Sequence, residues 1–375
     1  DRVAAMTQPF QFIDSADSFQ RLLARLRDEE VLALDTEFVW DRTYYARLGL
    51  VQIGLSDGAS FLVDPLAVPD LSPLGEFLSD PRRTKILHDA PQDLMILRRA
   101  TGAPARHVFD TRLAAGFAGL GSTLSLANLL AETLGVHLAK AHTRADWLAR
   151  PLSPEELEYA ADDVRYLPQA AAFLRERARE AGAEAWLDEE LAALDDSGLS
   201  GEKDAAEAYL RIRAAASLAP RNLAVLRELA AWREQEARRA DRPRRWLLED
   251  GELVALATGC PRGLDELRLS PQTIQHYGEA LLEAIRRAQA LPEAEWPAPV
   301  FQPSREPAFR KAVDAALEQI SVRAAERKID PQLVCSRNDV SQWLQEETSA
   351  NPAEHALLRG WRAELTRGIP CVPRR

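Results

Sequence analysis

The hydrophobic pattern between residues 10 and 110 predicts strands interleaved with helices. The segment 31–39, VLALDTEFV, opens with four apolar residues in succession, which is typical of a strand buried on both faces. A helix capped by Asp14 or Ser15 is predicted before this strand, because apolar residues recur there at helical spacing. These apolar residues are Phe19, Leu22, Leu23 and Leu26.

Two β-rich runs follow the first strand. They cover residues 49–56 and 59–64 and are separated by Asp57 and Gly58, a pair that favours a tight hairpin turn. We therefore expect three successive strands to be antiparallel neighbours. The pattern further predicts a short helix over 72–79, a strand over 84–88, a helix from Pro91 that ends at Gly102, and a short strand over 107–110.

Beyond residue 110 the periodicity is helical almost to the end of the chain. A polar, glycine-containing stretch at 195–204 and a stretch with five prolines at 291–307 are typical of linkers. The pattern thus predicts three domains: an α/β domain with a mixed sheet covered by helices over 7–195, and two all-α domains over 203–290 and 307–372.

The composition is that of a globular chain. With 375 residues, 46% of them hydrophobic, the chain can bury a large core. It has neither an apolar run of about eighteen residues nor a signal layout at its start, so we expect a cytoplasmic protein with no membrane segment. The net charge of −11 argues against nonspecific adhesion to nucleic acid, although it does not exclude a local basic groove.

Asp35 and Glu37 are separated by one residue at the end of the 31–39 strand, so the pleat projects both carboxylates from the same face. Two neighbouring buried carboxylates are costly to ionise without a cation, and a divalent metal is the simplest compensation. The alternative is that these acids only cap the following turn. Further acids are needed to decide between the two.

Asp93 is the next candidate, at the start of the helix that follows the 84–88 strand. The helix dipole favours an anion at this end, although an acid there can simply stabilise its own helix. Asp89 lies closer to the strand end and competes for the same role.

Tyr159 and Asp163 lie one turn apart on a helix that a capping box of Ser153 and Glu156 predicts. A phenol and a carboxylate in this arrangement can share one water molecule, the carboxylate through a metal and the phenol through a hydrogen bond. Asp162 points about a quarter-turn away and is predicted to be solvated. The alternative is a surface tyrosine near an exposed acid.

The sequences of these segments and their order along the chain resemble those of a known family. LALDTEF, LHDAPQDL and YAADD, with DWLARPLS just upstream of the last, resemble the DEDD 3′-to-5′ exonuclease superfamily, and Tyr159 with Asp163 resembles its tyrosine subclass. Over nearly the whole chain the sequence resembles the ribonuclease D family. The resemblance implies a ribonuclease H-like nuclease domain followed by two HRDC domains, the second of them a looser match.

The resemblance also implies a role for each of the five residues. Asp35 would bridge two divalent ions, Glu37 and Asp163 would complete the first ion site, Asp93 would hold the second, and Tyr159 would orient the attacking water. Carboxylates suit Mg²⁺ or Mn²⁺, and the absence of Cys or His clusters argues against zinc. No organic cofactor is expected. The implied reaction releases 5′-mononucleotides from the 3′ end of RNA, tRNA precursors among them, and we expect a monomer.

Candidates for substrate binding come from two kinds of pattern. Residues beside the acids can contact the terminal nucleotide: Thr36, Phe38 and His88, of which His88 is equally well a satisfied core histidine. Mixtures of aromatic and basic residues suit single-stranded RNA, with a packed tryptophan or a solvated loop as the alternative. These mixtures comprise Lys140, Arg144, Trp147 and Arg150 before the tyrosine-bearing helix, and Arg238, Arg239, Arg242, Arg244 and Arg245 in the first helical domain.

Two other functions fit the same sequence. The first is the same chemistry on DNA, as a 3′-to-5′ exodeoxyribonuclease, and the second is a non-catalytic RNA-binding scaffold on an exonuclease fold. The ribonuclease D arrangement favours RNA over DNA. The presence of all four acids and Tyr159 argues against the scaffold.

Overall fold

The structure is a computed structural model that describes residues 10–138, 145–195, 203–346 and 355–369. Its internal contacts divide the chain into two compact units. The first unit comprises residues 1–39, 48–201 and 303–375, and the second comprises residues 40–47 and 202–302.

A six-stranded mixed sheet forms the centre of the first unit, in the order β1-β4-β3-β2-β5-β6. Parallel pairs join β1 to β4, β2 to β5 and β5 to β6, while β3 and β4 are antiparallel. The strands are β1 (Gln11–Ile13), β2 (Val31–Val39), β3 (Arg47–Gly54), β4 (Ser60–Val63), β5 (Thr84–Leu87) and β6 (Val108–Asp110).

The predicted hairpin and the predicted central strand are confirmed. Strands β3 and β4 pair antiparallel from Val51 opposite Val63 to Gly54 opposite Ser60, and Gly58 in the turn has a φ of 87°, which only glycine adopts readily. Strand β2 has neighbours on both sides and begins with buried apolar residues. Strand β1 was not predicted, because three residues are too short to show alternation.

Helices cover the sheet, and their caps follow the sequence. Ser15 caps α1, Ser153 and Glu156 form the predicted capping box of α6, and Gly102 ends α3 in the left-handed conformation. The helices are α1 (Ala16–Leu26), α2 (Leu74–Ser79), α3 (Pro91–Thr101), α4 (Thr111–Phe117), α5 (Leu126–Leu134), α6 (Pro154–Arg165), α7 (Leu167–Glu180) and α8 (Glu184–Leu194).

The second unit is all-helical around a core of its own. Its α-helices are α9 (Pro220–Ala240), α10 (Arg244–Leu247), α11 (Asp250–Gly259) and α12 (Pro271–Gln289), and 3₁₀ turns include Ala205–Arg211 and Arg213–Ser217. An apolar stripe at helical spacing is fully buried on α9: Leu223, Leu226, Leu229 and Ala230.

The C-terminal helices α13 (Pro307–Glu326), α14 (Arg337–Glu346) and α15 (Arg362–Thr366) belong to the first unit. Their buried residues share one hydrophobic core with the sheet, and Trp361 packs against Phe117 and Trp186 at ring-centroid distances of 5.2 and 5.5 Å. The sequence predicted three domains, whereas the contacts divide the chain into two compact units. The HRDC-like character of residues 307–372 stays a prediction.

No helix in the described part of the chain combines the length and apolar character that a membrane span needs.

Candidate active site

The end of β2 presents the first two acids. Leu32, Ala33 and Leu34 are buried, so this part of the strand is fixed in the middle of the sheet. The next residues alternate, with the Asp35 and Glu37 side chains on one side of the strand. A rigid strand therefore sets the spacing of two carboxylates.

Helix α6 brings the third acid to the same place. Oxygen atoms of Asp35, Glu37 and Asp163 all lie within 4.8 Å of one another. Tyr159, one turn earlier on α6, has its hydroxyl hydrogen-bonded to the Asp163 carboxylate. The helical spacing of Tyr159 and Asp163 thus places both side chains at the acid cluster.

Asp93 lies in the first turn of α3, outside the group of three acids, and Thr36 links it to β2. The Thr36 side chain is buried and its hydroxyl donates a hydrogen bond to Asp93 Oδ1. The turn before α3 is held by buried Asp110, whose carboxylate accepts hydrogen bonds from the Asp89 and Ala90 amides at 3.1 and 2.9 Å. Two hydrogen-bonded connections therefore fix the position of Asp93.

Burial is the main cause of a raised pKa at each of the four acids. Burial, followed by the nearby charges of Asp163 and Asp93, raises the pKa of Glu37 to about 8. Burial likewise raises the pKa of Asp163 to about 7 and that of Asp93 to about 6. The pKa of Asp35 rises well above its usual range because of burial, and then because of the other three acids.

This donor set fits a divalent metal ion. Carboxylates that are close together and buried resist ionisation, and a cation among them stabilises their charged forms. All the donors are carboxylate oxygens, which suit hard cations. The cluster therefore has the composition and geometry of a divalent-metal site.

The two extra acids turn away from the cluster. Asp89 pairs with Arg112 and has a largely exposed side chain. Asp162 pairs with the buried guanidinium of Arg165, so the prediction that it is solvated was wrong. Asp163 lies in the acid cluster, and the choice of Asp93 over Asp89 stays a prediction, supported by the hydrogen bond from Thr36.

Trp147 lies in the core. Its side chain is only 5% exposed, and its ring stacks on Tyr159 with centroids 6.2 Å apart and planes 30° apart. Trp147 is therefore a packed core residue, as the alternative interpretation had it, and does not offer its ring to a base. The contact gives Trp147 a role in orienting the Tyr159 ring.

Arg150 is part of the scaffold. Its guanidinium donates two hydrogen bonds of 2.7 Å to buried Asp64 and another to the carbonyl of Gly49. These contacts satisfy the guanidinium internally and leave it poorly placed for a phosphate. Lys140 and Arg144 lie outside the described residues.

His88 is held by two neighbours. Its Nδ1 lies 2.9 Å from the Thr111 hydroxyl and its Nε2 lies 3.1 Å from the Leu124 carbonyl oxygen. Burial lowers its pKa. Both ring nitrogens thus have hydrogen-bond partners, so His88 matches the alternative interpretation as a core histidine. Phe38 is half-buried at the end of β2.

The arginines of the second unit divide into two groups. Arg238 and Arg244 pair with Glu234, whose side chain is 1% exposed, and Arg239 donates two hydrogen bonds to Glu236. Arg242 and Arg245 are exposed. Ion pairs thus engage three of the five arginines predicted to bind RNA: Arg238 and Arg244 with a buried acid, and Arg239 at the surface. The sequence did not reveal these pairs.

Gln52 on β3 is a site residue that sequence inspection missed. Its side chain is fully buried and its Nε2 lies 3.4 Å from Asp35 Oδ2, at the long end of hydrogen-bond distance. The available signal was a single polar residue within the apolar run LVQIG. Asp110 carried a similar signal, an acid between a strand and a helix.

Comparisons with known proteins agree with this geometry. Residues 10–178 match the 3′-5′ exonuclease family and residues 222–285 match the HRDC domain. Ribonuclease D of Desulfotalea psychrophila is 36% identical over 94% of this chain and 95% of its own length. Ribonuclease D of Escherichia coli is 36% identical over 95% of this chain and 96% of its own length.

The fold comparison leads to the same relatives. The crystal structure of Escherichia coli RNase D, described as an exoribonuclease involved in structured RNA processing, superimposes with a TM-score of 0.83 at 34% identity, covering 95% of this chain and 96% of that one. The fold and the acid cluster define a 3′-5′ exonuclease. Within that class, the chain belongs to the ribonuclease D family.

Proposed function

We propose that this protein is a metal-dependent 3′-to-5′ exoribonuclease that releases 5′-mononucleotides. The observation that carries the proposal is the convergence of Asp35, Glu37 and Asp163 within 4.8 Å, with Asp93 hydrogen-bonded to the intervening Thr36. Acids separated by more than a hundred residues meet on a family scaffold that is an exonuclease.

In this proposal the four acids would hold two divalent ions, Mg²⁺ or Mn²⁺, and Asp35 would serve both. Such ions, when bound, generate a nucleophile from water near neutral pH and offset the charge on the phosphate. Raised pKa values do not disable the ligands, because an ion that binds the carboxylates displaces their protons.

Tyr159 is proposed to orient the attacking water. Burial and the neighbouring acids raise its pKa, so the phenol keeps its proton at neutral pH and donates it in the hydrogen bond to Asp163. The contact with Trp147 fixes the ring while the Asp163 carboxylate fixes the hydroxyl. The phenol oxygen, held in place in this way, would accept a hydrogen bond from the water.

For the substrate we propose RNA with an accessible 3′ end, with tRNA precursors as the natural class and the cytoplasm as the location. Support comes from the Escherichia coli relative, described as acting in structured RNA processing, and from the HRDC match at residues 222–285. We propose that the protein acts as a monomer, with its site formed by one chain.

The test follows the length of a 5′-labelled 20-nucleotide RNA in Mg²⁺, in Mn²⁺ and in EDTA. We expect shortening by one nucleotide at a time from the 3′ end with either ion, and chromatography of the products should show 5′-mononucleotides. A 3′-phosphate on the released nucleotides, or cleavage in EDTA, contradicts the mechanism.

A matched single-stranded DNA separates the rival activity. Faster degradation of the DNA than of the RNA would favour the exodeoxyribonuclease. RNA binding without shortening in either metal would favour the scaffold.

A further inference from the structure

Two large tryptophans of the second unit face solvent. Trp40 is 45% exposed and Trp246 is 55% exposed, whereas Trp147, Trp186, Trp343 and Trp361 are buried. Exposing an indole forfeits the free energy of burying it, so exposed tryptophans commonly mark binding surfaces. Neither residue has a role in the proposed active site.

Tyr44 connects the two tryptophans. The Trp40 indole donates a 2.8 Å hydrogen bond to the Tyr44 carbonyl oxygen, which fixes the direction of the ring. The Tyr44 ring packs under the guanidinium of Arg244 at 4.7 Å, and Arg244 lies on the same short helix as Trp246. Trp40 is therefore linked to the Tyr44 backbone, and the helix that carries Trp246 is linked to the Tyr44 ring.

That element is firmly anchored. The backbone amides of Tyr44 and Tyr45 both donate to Asp241 Oδ1, at 3.1 and 3.0 Å. The Tyr44 hydroxyl donates a 2.5 Å hydrogen bond to buried Glu234. An indole on such a segment is presented with little conformational freedom to lose, which favours binding.

The charges around the tryptophans suit a polyanion. Arg42, Arg242 and Arg245 are exposed beside them in sequence. Arg42 approaches only exposed Asp41, at 3.3 Å, and an ion pair of this kind contributes little. Several nearby acids are engaged by partners: Asp241 by the two amides, Glu234 by Arg238 and Arg244, and the exposed Asp250 by Arg233.

We propose that Trp40 and Trp246 form a base-stacking surface for the single-stranded part of the RNA, with Arg42, Arg242 and Arg245 contacting its phosphates. Aromatic platforms among cations bind single strands without sequence preference, because every base has a stacking face. This inference rests on the proposed function for its ligand. It differs from the predicted arginine surface in that two tryptophans provide the main contacts, since Arg238 and Arg244 pair with Glu234.

The test measures binding and cleavage separately. Binding of 5′-labelled 12-nucleotide oligouridylate is followed by fluorescence anisotropy in EDTA for the full-length protein and for Trp40→Ala, Trp40→Phe, Trp246→Ala and Trp246→Phe. We expect each alanine variant to weaken binding by roughly ten-fold and each phenylalanine variant to stay within about three-fold of the wild type. Leu264→Ala, at another exposed apolar residue of the same unit, should bind like the wild type.

A second ligand isolates stacking from charge. An oligomer of twelve abasic phosphodiester units should bind the tryptophan variants and the wild type equally, whereas Arg245→Gln should weaken binding of both oligomers. Equal binding of oligouridylate by wild type and alanine variants overturns the proposal, as does an equal loss on the abasic oligomer. Loss of cleavage by the wild type itself would instead contradict the proposed function, because the anisotropy measurement does not depend on turnover.

Discussion

Both units bury carboxylates beside a tyrosine, and they treat the charge in opposite ways. In the first unit the charges acting on Glu37 are other acids, and burial with these acids raises its pKa to about 8. In the second unit Arg244, Tyr44 and Arg238 surround Glu234, and their hydrogen bonds and charges outweigh burial and lower its pKa to about 2. The comparison teaches that the partners of a buried acid distinguish a structural ion pair from a metal site.

The largest effect should come from removing an acid of the first cluster. Asp35→Asn takes away the proposed shared ligand, and we expect kcat to fall by about 10²- to 10³-fold, as expected for several kcal/mol of lost metal assistance. Thermal stability in EDTA should not fall, because one repulsive charge is gone. Steady-state hydrolysis and thermal melting measure the two effects.

Asp162→Asn is the matched control for Asp35→Asn. Asp162 neighbours Asp163 but pairs with Arg165, so its variant should keep kcat within about three-fold of the wild type. If Asp162→Asn lost as much activity as Asp35→Asn, the assignment of ligands would be wrong.

In the second unit, Glu234→Gln should reduce stability. Glutamine leaves two guanidinium groups without their buried counterion, and we expect a loss of about 3 kcal/mol in the free energy of unfolding. Glu236→Gln, two residues away in a pair with exposed Arg239, should cost under about 1 kcal/mol. Urea denaturation measures both, and similar losses in the two variants would show that burial does not set the difference.

The pH dependence of the second unit follows from the same residue. The folded-state pKa of Glu234 lies near 2 and below its ordinary value of 4.5, so its ion pairs stabilise the fold above about pH 4.5. This contribution falls as the pH drops from 4.5 towards 2. The difference in urea midpoint between wild type and Glu234→Gln should therefore shrink at acid pH.

A tyrosine lies beside the buried acids in each unit, and removing its hydroxyl should have different effects in the two units. Tyr159→Phe keeps the ring on Trp147 and removes the hydroxyl, so kcat should fall by about ten- to a hundred-fold with little change in KM. Tyr44→Phe removes a hydrogen bond to Glu234, so it should lower stability by about 1–2 kcal/mol and leave kcat on a dinucleotide unchanged. A KM effect alone for Tyr159→Phe would argue against water orientation.

The smallest effect is a shift of melting temperature in the first unit. Raised carboxyl pKa values mean that the metal-free fold binds more protons than the unfolded chain between about pH 4 and 8, so its stability falls as the pH rises. Mg²⁺ should reverse this trend, with a larger stabilisation at pH 8 than at pH 6. Thermal melts with and without the ion check both signs, and Asp35→Asn should respond to Mg²⁺ much less.

The sequence predicted those parts of the site that local patterns encode. Asp35 and Glu37 followed from a strand, and Tyr159 with Asp163 followed from a capped helix. The hydrogen bond from Thr36 to Asp93 and the position of Gln52 depend on how elements pack, and no local spacing reports that.

The arginine-rich segment shows the same limit in the second unit. Its composition suggested a surface for phosphates, yet its strongest partner is Glu234 on the preceding helix, and a charge pattern in sequence does not say which charges meet. The proline-rich stretch at 291–307 likewise suggested a boundary. The helices after it share a core with the sheet. The sequence of a helix predicts an apolar face but does not indicate which element packs against that face.

The shared core of the sheet and helices α13–α15 has a consequence for synthesis. Leu365 packs in the same core as Phe19, so the first unit draws its interior from both ends of the chain. A ribosome must release the last helix before that interior can close. The interior of the first unit therefore closes only after α15 has been synthesised, and a product that stops before α15 lacks part of that interior.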